Sequence, residues 1–240
     1  MFLSAFLVET IAAVRIRLSF IMRRRFCGCD FICSVIESKL MFSAPKTIRE
    51  QVTNQLRDDL VSGRYEPGTR LRETEVSKQF GVSRGPVRDA FIQLSQEGFL
   101  AYNANRGVVV CHPPKPEDRE FIASLRFQIE KRVVEKGLSQ LTDVGITEIE
   151  FRIERLRTAC EFGEATRVAL CDVEFHEAIM IACGGSDLVG AWRQLCSRML
   201  LTYTRLRNYE EAYQEHVTIF EALKKRKVKQ SVNALKANIR

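Results

Sequence analysis

Residues 73–90 read ETEVSKQFGVSRGPVRDA, and this stretch decides the fold of the amino-terminal half. It predicts a short helix from Glu73 to Phe80, which Gly81 stops because glycine adopts the left-handed conformation at a helix end. Ser83 is a suitable N-cap for a second helix, because its hydroxyl can accept a bond from a free backbone N–H. Two helices joined by a tight turn that contains glycine are typical of a helix-turn-helix, whose second helix recognises DNA.

The residues on either side complete a winged helix-turn-helix. Upstream, apolar residues at helical spacing predict a helix that begins near Thr47 and stops at Ser62-Gly63, with an inward face of Ile48, Val52, Leu56, Leu60 and Val61. Downstream, residues 100–103 and the β-branched run 108–110 flank a basic glycine turn. This pattern predicts two strands joined by a loop. We therefore predict three helices and a two-stranded wing.

Three arginines stand where such a module needs positive charge. Arg84 and Arg88 are four residues apart on one face at the start of the recognition helix, and Arg106 is at the tip of the wing. A guanidinium can bridge phosphate oxygens or bind guanine in the major groove. Taken singly, each could be a solvated surface arginine, but together on this scaffold they favour contact with DNA.

Several motifs in this region, in order and at the right spacing, resemble the amino-terminal domain of GntR-family regulators. They are Leu71-Arg72-Glu73, residues 81–90, Glu97-Gly98-Phe99-Leu100 and Asn105-Arg106-Gly107. The resemblance implies a homodimer on a pseudo-palindromic double-stranded DNA operator, with contacts from Arg72, Ser83, Arg84, Gly85, Arg88, Arg106 and Gly107. Gly85 departs from the family, which usually has a hydroxyl residue there. Two alternatives stay open at this position: the phosphate contact of that hydroxyl is lost, or a backbone N–H makes it instead.

The bulk composition sets weaker limits. The 240 residues have room for one large domain or two small ones, and the formal charge of +7 favours a polyanionic partner only slightly. The eight cysteines are scattered without a CxxC repeat, which indicates a reducing cytoplasm rather than a disulfide framework. A protein that compacts nucleic acid without specificity would need more charge and no second domain.

The first forty residues do not match the rest, and they carry +3 of the charge from six basic and three acidic residues. They lack the pattern of a secretory signal and an uncharged run long enough for a membrane helix. Three interpretations stay open: translation that begins at Met41, a genuine disordered or membrane-surface extension, and a targeting peptide.

We predict an atypical extension (1–40), a winged helix-turn-helix domain (41–111), a proline-rich linker (112–116) and an all-helical domain (117–240).

The carboxyl-terminal half shows one helical pattern after another, with short breaks and no strand alternation. An antiparallel helical bundle is the simplest architecture for it, which makes the chain mainly α. Asp172 and His176 are spaced to share one helix face, and His216 follows Glu215 on a later helix. These three residues form a donor set that suits zinc, nickel, manganese or iron(II). An Asp/His pair at this spacing is, however, commonly a surface pair.

Residues 172–179, 184–188 and 215–222 resemble the FCD ligand domain of the FadR-type GntR subgroup. In its metal-binding members the resemblance implies a fourth ligand, a histidine on the last helix, where this chain has Asn238. An amide oxygen is a poorer ligand, so two alternatives stay open: a divalent metal at Asp172, His176 and His216, or direct hydrogen bonds from the pocket to an effector. Arg126 matches a basic effector-binding position in some relatives, or forms a surface ion pair with Glu130.

We therefore predict a cytoplasmic, ligand-responsive transcription repressor that is not bound to membranes. Relatives with metal in this pocket bind small carboxylates, and the resemblance extends that expectation to this chain, with Arg126 and Asn238 as effector-binding residues. The alternative is an enzyme that uses the two histidines and one carboxylate around iron(II). It is disfavoured because no general base or activated nucleophile is evident near Asp172.

Overall fold

The computed structural model describes residues 46–103, 107–201 and 208–239. The predicted extension (1–40) and the wing-tip residue Arg106 lie outside the described residues. Within the described ranges the helices and strands follow the order α1 (Ile48–Val61), β1 (Arg70–Leu71), α2 (Glu73–Phe80), α3 (Arg84–Gln96), β2 (Leu100–Asn103), β3 (Gly107–Val110), α4 (Pro116–Gly137), a 3₁₀ turn (Leu138–Gln140), α5 (Asp143–Phe162), α6 (Ala165–Ala182), α7 (Ser186–Leu200), α8 (Tyr209–Lys224) and α9 (Val228–Asn238).

Local sequence sets the ends of the three amino-terminal helices. Thr47 and Glu50 form a reciprocal capping box at the start of α1. Gly81 ends α2 in the left-handed conformation, with φ of 65°, as the sequence predicts. Ser83 occupies the N-cap position of α3, but its side chain makes no capping hydrogen bond. The hydroxyl of Ser83 is therefore not used to cap the helix.

The wing belongs to a small antiparallel sheet of three strands in the order β1-β3-β2. The predicted hairpin is present, with Leu100 opposite Val110 and Asn103 opposite Gly107. A third strand, missing from the prediction of a two-stranded wing, pairs Arg70 with Val109. Only two residues long, β1 is too short to show the alternation by which strands are recognised in a sequence.

The core of the winged domain forms where α1 and α3 pack together and against the sheet. Its fully buried side chains include Leu56 and Leu60, which the helical spacing predicts to point inward, and also Val87, Phe91, Leu94 and Leu100. Burying each of them stabilises the fold by about 1.5–3 kcal/mol. Ile48, also predicted on this face, is 57% exposed. Helical spacing defines a face, but it does not show how far along that face the neighbouring elements extend.

Helices α4 to α9 form the predicted helical domain around a second core. Helix α6 packs on α5, α4 and α7, whereas α9 packs on α8 and α4. The last turn of α4 passes close to the end of α6: a β-carbon at Gly137 would lie 1.8 Å from the carbonyl oxygen of Cys183. Glycine is therefore required at this crossing.

The two domains touch through α6 and α7. Ala169 and Leu200 are buried in the same apolar cluster as the core of the winged domain, and the partly buried Val173 packs against it. The cysteines Cys171, Cys183 and Cys196 are buried as free thiols. Among the described residues, we find no helix with the length and apolarity needed to cross a bilayer.

Candidate nucleic-acid interface and ligand site

Helix α3 presents its first turns to solvent. Arg84 and Arg88 are exposed, whereas Val87 and Ala90 on the other face are fully buried. A β-carbon at Gly85 would meet no atom within 4 Å, so the start of the helix is open to an approaching backbone. Free N–H groups at a helix N-terminus attract phosphate. The predicted DNA contacts on α3 are thus brought together on one accessible surface.

Two of the remaining predicted DNA contacts, Arg72 and Gly107, are among the described residues. Arg72 is the N-cap residue of α2, and it pairs with Glu75 at 3.0 Å on an exposed surface. Gly107 opens β3 with φ of 75°, a conformation that favours glycine. Arg106, at the predicted wing tip, lies outside the described residues. Within the described part of the chain, Arg72 is thus a predicted DNA contact whose guanidinium is paired with a carboxylate, that of Glu75.

Arg70 is a basic residue of this surface that the sequence analysis did not single out. Its side chain is exposed, and the pairing of β1 with β3 brings it to the base of the wing. Its Nε and Nη2 atoms lie 3.8 Å from the position that a β-carbon on Gly107 would occupy. No sequence signal marks Arg70, because β1, the strand that carries it to the wing, is too short to be recognised from its pattern.

A buried polar cluster, which we call the central cluster, lies in the helical domain. Its members come from four helices that are far apart in sequence: Arg126 and Glu130 from α4, Asp172 and His176 from α6, His216 from α8, and Asn238 from α9. Glu130, Asp172, His176 and His216 are all buried. Asp172 and His176 do share one helix face, but they are not the surface pair that such spacing commonly forms.

Both nitrogen atoms of each imidazole face an oxygen atom. In His176, Nδ1 lies 2.6 Å from Oε2 of Glu130 and Nε2 lies 3.0 Å from Oδ1 of Asn238. In His216, Nδ1 lies 2.7 Å from the carbonyl oxygen of Ala212 and Nε2 lies 2.9 Å from Oδ1 of Asp172. These contacts fix the plane of each ring, and they aim both Nε2 atoms toward the same side as Asp172.

Glu130 is the member of the central cluster that the sequence analysis missed as a site residue. Its Oε1 accepts hydrogen bonds of 2.8 Å from Nε1 of Trp192 and from Nε of Arg126. Burial alone would raise the pKa of this carboxyl, but the charges of His176 and Arg126 and their hydrogen bonds lower it to about 2. Glu130 is therefore an ionised carboxylate held by three donors.

Arg126 does pair with Glu130 at the predicted i, i+4 spacing, but the pair is not on the surface. The side chain of Arg126 is 15% exposed and that of Glu130 is 1% exposed, and Arg126 also reaches Oδ2 of Asp172 at 3.5 Å. Burial opposes ionisation of Asp172, yet the charge of Arg126 and the hydrogen bond from His216 hold its pKa below the ordinary range. Arg126 thus compensates two buried carboxylates.

The donor atoms of the central cluster fit a divalent cation. One ligand atom each from Asp172, His176 and His216 lies within 4.8 Å of the other two. The outer nitrogen of His176 bonds a carboxylate and that of His216 a backbone carbonyl, the usual second contacts of histidines that bind metal through their other nitrogen. The amide oxygen of Asn238 faces the same space. The residues present are therefore suited to hold an ion with nitrogen and oxygen ligands.

This fold, a winged helix-turn-helix with an exposed recognition helix followed by a helical bundle, is typical of one-component transcription regulators. Residues 48–110 match the family of bacterial regulatory proteins called the gntR family, and residues 121–240 match the FCD domain. The chain belongs to the GntR family and carries an FCD domain.

Individual relatives agree with this assignment. The transcriptional repressor RspR of Escherichia coli is 30% identical over 199 residues, which cover 80% of this chain and 84% of RspR. The transcriptional regulator YdhC of Bacillus subtilis is 28% identical over 183 residues, covering 73% of this chain and 80% of YdhC. The solved structure of E. coli McbR/YncC has the same fold, with a TM-score of 0.65 and 24% identity over 81% of this chain and 94% of McbR.

The chain is thus a DNA-binding transcriptional regulator, and its family consists of regulators rather than enzymes. The alternative of an iron(II) enzyme is set aside on that ground. Cys171, next to Asp172 in the sequence, is not an activated nucleophile. Burial raises the pKa of its thiol and so opposes formation of a nucleophilic thiolate.

Proposed function

We propose that this regulator is a repressor whose binding to DNA responds to a small molecule held at the central cluster. It would act as a cytoplasmic homodimer on a pseudo-palindromic operator, because two symmetry-related recognition helices match two half-sites. The proposed DNA contacts are Arg72, Ser83, Arg84, Gly85, Arg88, Arg106 and Gly107, to which we add Arg70. The repressor name of RspR supports the sign of the regulation.

One observation carries the proposal: α6 belongs to both functional regions. Asp172 and His176 of α6 are in the central cluster, while Ala169 and Val173 of the same helix pack against the core of the winged domain. A ligand that shifts α6 by a fraction of an ångström would disturb close packing against α1. Interfaces of this kind tend to adopt discrete arrangements rather than deform continuously.

The proposed effector is a small carboxylate, and the proposed anchor is a divalent ion at Asp172, His176 and His216 with Asn238 beside them. A bound ion would act as a Lewis acid that accepts an anionic oxygen in an open coordination position. Arg126 provides positive charge in the same cluster, although Glu130 and Asp172 already engage it. The alternative is a pocket without metal, in which these polar residues bind the effector directly.

A thermal-shift screen of small carboxylates and sugar acids, with and without divalent metal, tests this proposal. A compound at ~100 times its dissociation constant stabilises the folded state by roughly 2.7 kcal/mol, which is easily detected. Stabilisation only in the presence of metal favours the anchored ion, and equal stabilisation in chelator favours the pocket without metal. A screen in which no carboxylate shifts the melting temperature in either condition would contradict the proposed effector class.

A further inference from the structure

We infer that Glu215 holds the side-chain amide of Asn238 with its oxygen facing the central cluster, which makes Asn238 an oxygen ligand and lowers the preference of the site for zinc over manganese. The inference rests on the metal site of the proposed function. It concerns a residue, Glu215, with no role in the predictions above, and it gives a use to the asparagine found where a histidine is expected as the fourth ligand.

The hydrogen bonds of Asn238 distinguish the two ends of its amide. Nδ2 donates to Oε2 of Glu215 at 3.1 Å, and Oδ1 lies 3.0 Å from Nε2 of His176. A carboxylate can only accept hydrogen bonds, so the NH₂ group must be at the Glu215 end. The reversed amide would put two N–H donors toward the cluster, and a cation cannot bind there.

Asn238 and Glu215 lie on two helices that pack together. Asn238 is the last residue of α9, which is anchored by the fully buried Leu235 and by Ile239 just beyond the helix end. Glu215 and His216 are neighbours on α8, which packs along α9. Helix α8 would therefore supply one ligand directly through His216 and orient a second through Glu215.

The resulting donor set has two imidazole nitrogens, one carboxylate oxygen and one amide oxygen. Carbonyl and carboxylate oxygens suit manganese, whereas imidazole nitrogens suit zinc and nickel. Replacing the amide of Asn238 by a third imidazole would raise the affinity of the site for zinc relative to manganese. Zinc binds more tightly than manganese at most sites of either kind, so the informative quantity is the ratio of the two dissociation constants.

The test is a titration of the full chain, stripped of metal by chelation, with Mn²⁺ followed by its electron paramagnetic resonance signal and with Zn²⁺ in competition with an indicator. For Asn238→His we expect the affinity for zinc relative to manganese to rise by about tenfold or more. For Glu215→Ala we expect manganese binding to weaken by about tenfold, the usual size of such an outer contact. The matched control is Gln214→Ala, the exposed neighbour that bonds Glu210, and it should bind as wild type does.

A second variant separates orientation from simple attraction of charge. Glu215→Gln keeps an acceptor oxygen for Nδ2 of Asn238 but removes the negative charge, so it should retain most of the manganese affinity that Glu215→Ala loses. In the double variant with Asn238→His, Glu215→Ala should cause little further loss, since no amide is left to orient. The comparison of wild type with Glu215→Gln serves even if the single alanine variant is unstable.

The outcomes are distinct. Two results would overturn the role of Glu215 but not the metal site. The first is manganese affinity that Glu215→Ala leaves unchanged, and the second is an equal loss of manganese affinity in Glu215→Ala and Glu215→Gln. An unchanged ratio of zinc to manganese affinity in Asn238→His would overturn the role of the amide oxygen. Absence of metal binding by the wild type would overturn the metal site and this inference together, while the effector pocket without metal would survive.

Discussion

The side-chain Nε2 of Gln194 donates a hydrogen bond of 3.2 Å to the backbone carbonyl oxygen of Gln96. Gln96 is the last residue of the recognition helix α3, and Gln194 is on α7, two residues beyond Trp192. Trp192 in turn donates to Glu130 of the central cluster. The end of the recognition helix is thus hydrogen-bonded to α7, the helix whose Trp192 reaches the buried cluster, in addition to the packing of α6 against the winged domain.

Replacing Gln194 by alanine should weaken the response to ligand more than it weakens DNA binding. The variant loses the bond to Gln96 but no residue of either site, so operator affinity without ligand should stay near that of wild type. The change in operator affinity on adding ligand should shrink, because coupling is the difference between two states rather than a property of one. Fluorescence anisotropy with a labelled operator measures both quantities. Gln214→Ala serves as control, and a full ligand response in Gln194→Ala would exclude this contact from the coupling.

Arg84→Ala and Arg88→Ala should each weaken operator binding. The expected cost is about 1–3 kcal/mol for each residue if its guanidinium makes a bidentate contact to a base. Arg64→Ala is the matched control in the same domain, since Arg64 is engaged by Asp59. Anisotropy titrations at fixed salt provide the comparison. If both variants bind a mapped operator as tightly as wild type does, α3 is not the recognition helix.

Arg70→Ala tests the basic residue at the base of the wing. If Arg70 binds a phosphate, its removal should weaken binding to all sequences about equally and reduce the slope of log K against log salt by about one, because fewer counterions are released. Titrations at several salt concentrations, on the operator and on an unrelated duplex, measure this slope. A slope identical to that of wild type would mean that Arg70 does not contact DNA.

Gly137→Ala should destabilise the helical domain. The added β-carbon would lie 1.8 Å from the carbonyl oxygen of Cys183, and a backbone atom cannot move aside as a flexible side chain can. Overpacking of this kind costs about 1–3 kcal/mol or more. Urea denaturation should show a lower midpoint with a similar slope. Gly190→Ala, at a position of α7 with open space around it, is the control, and it should not lower the midpoint because alanine favours a helix more than glycine does.

The winged domain could be predicted closely because its signals are local. Gly81 and Ser83 mark the turn between helices, and the apolar spacing of Leu56 and Leu60 marks the buried face of α1. The central cluster was predicted only in part. Asp172, His176 and His216 lie close together, but Glu130 was interpreted as a partner of Arg126 alone, because its contact with His176 spans 46 residues of sequence. Only the packing of α4 on α6 reveals that contact.

The most direct test of the central claim is operator affinity with and without the carboxylate selected by the thermal-shift screen, for wild type and for His176→Ala. We expect the ligand to change the affinity of wild type by about tenfold or more, within the usual range of allosteric coupling. We expect His176→Ala to bind the operator but not to respond to the ligand. A ligand effect of equal size in the variant, or none in wild type, would contradict control of DNA binding by this cluster.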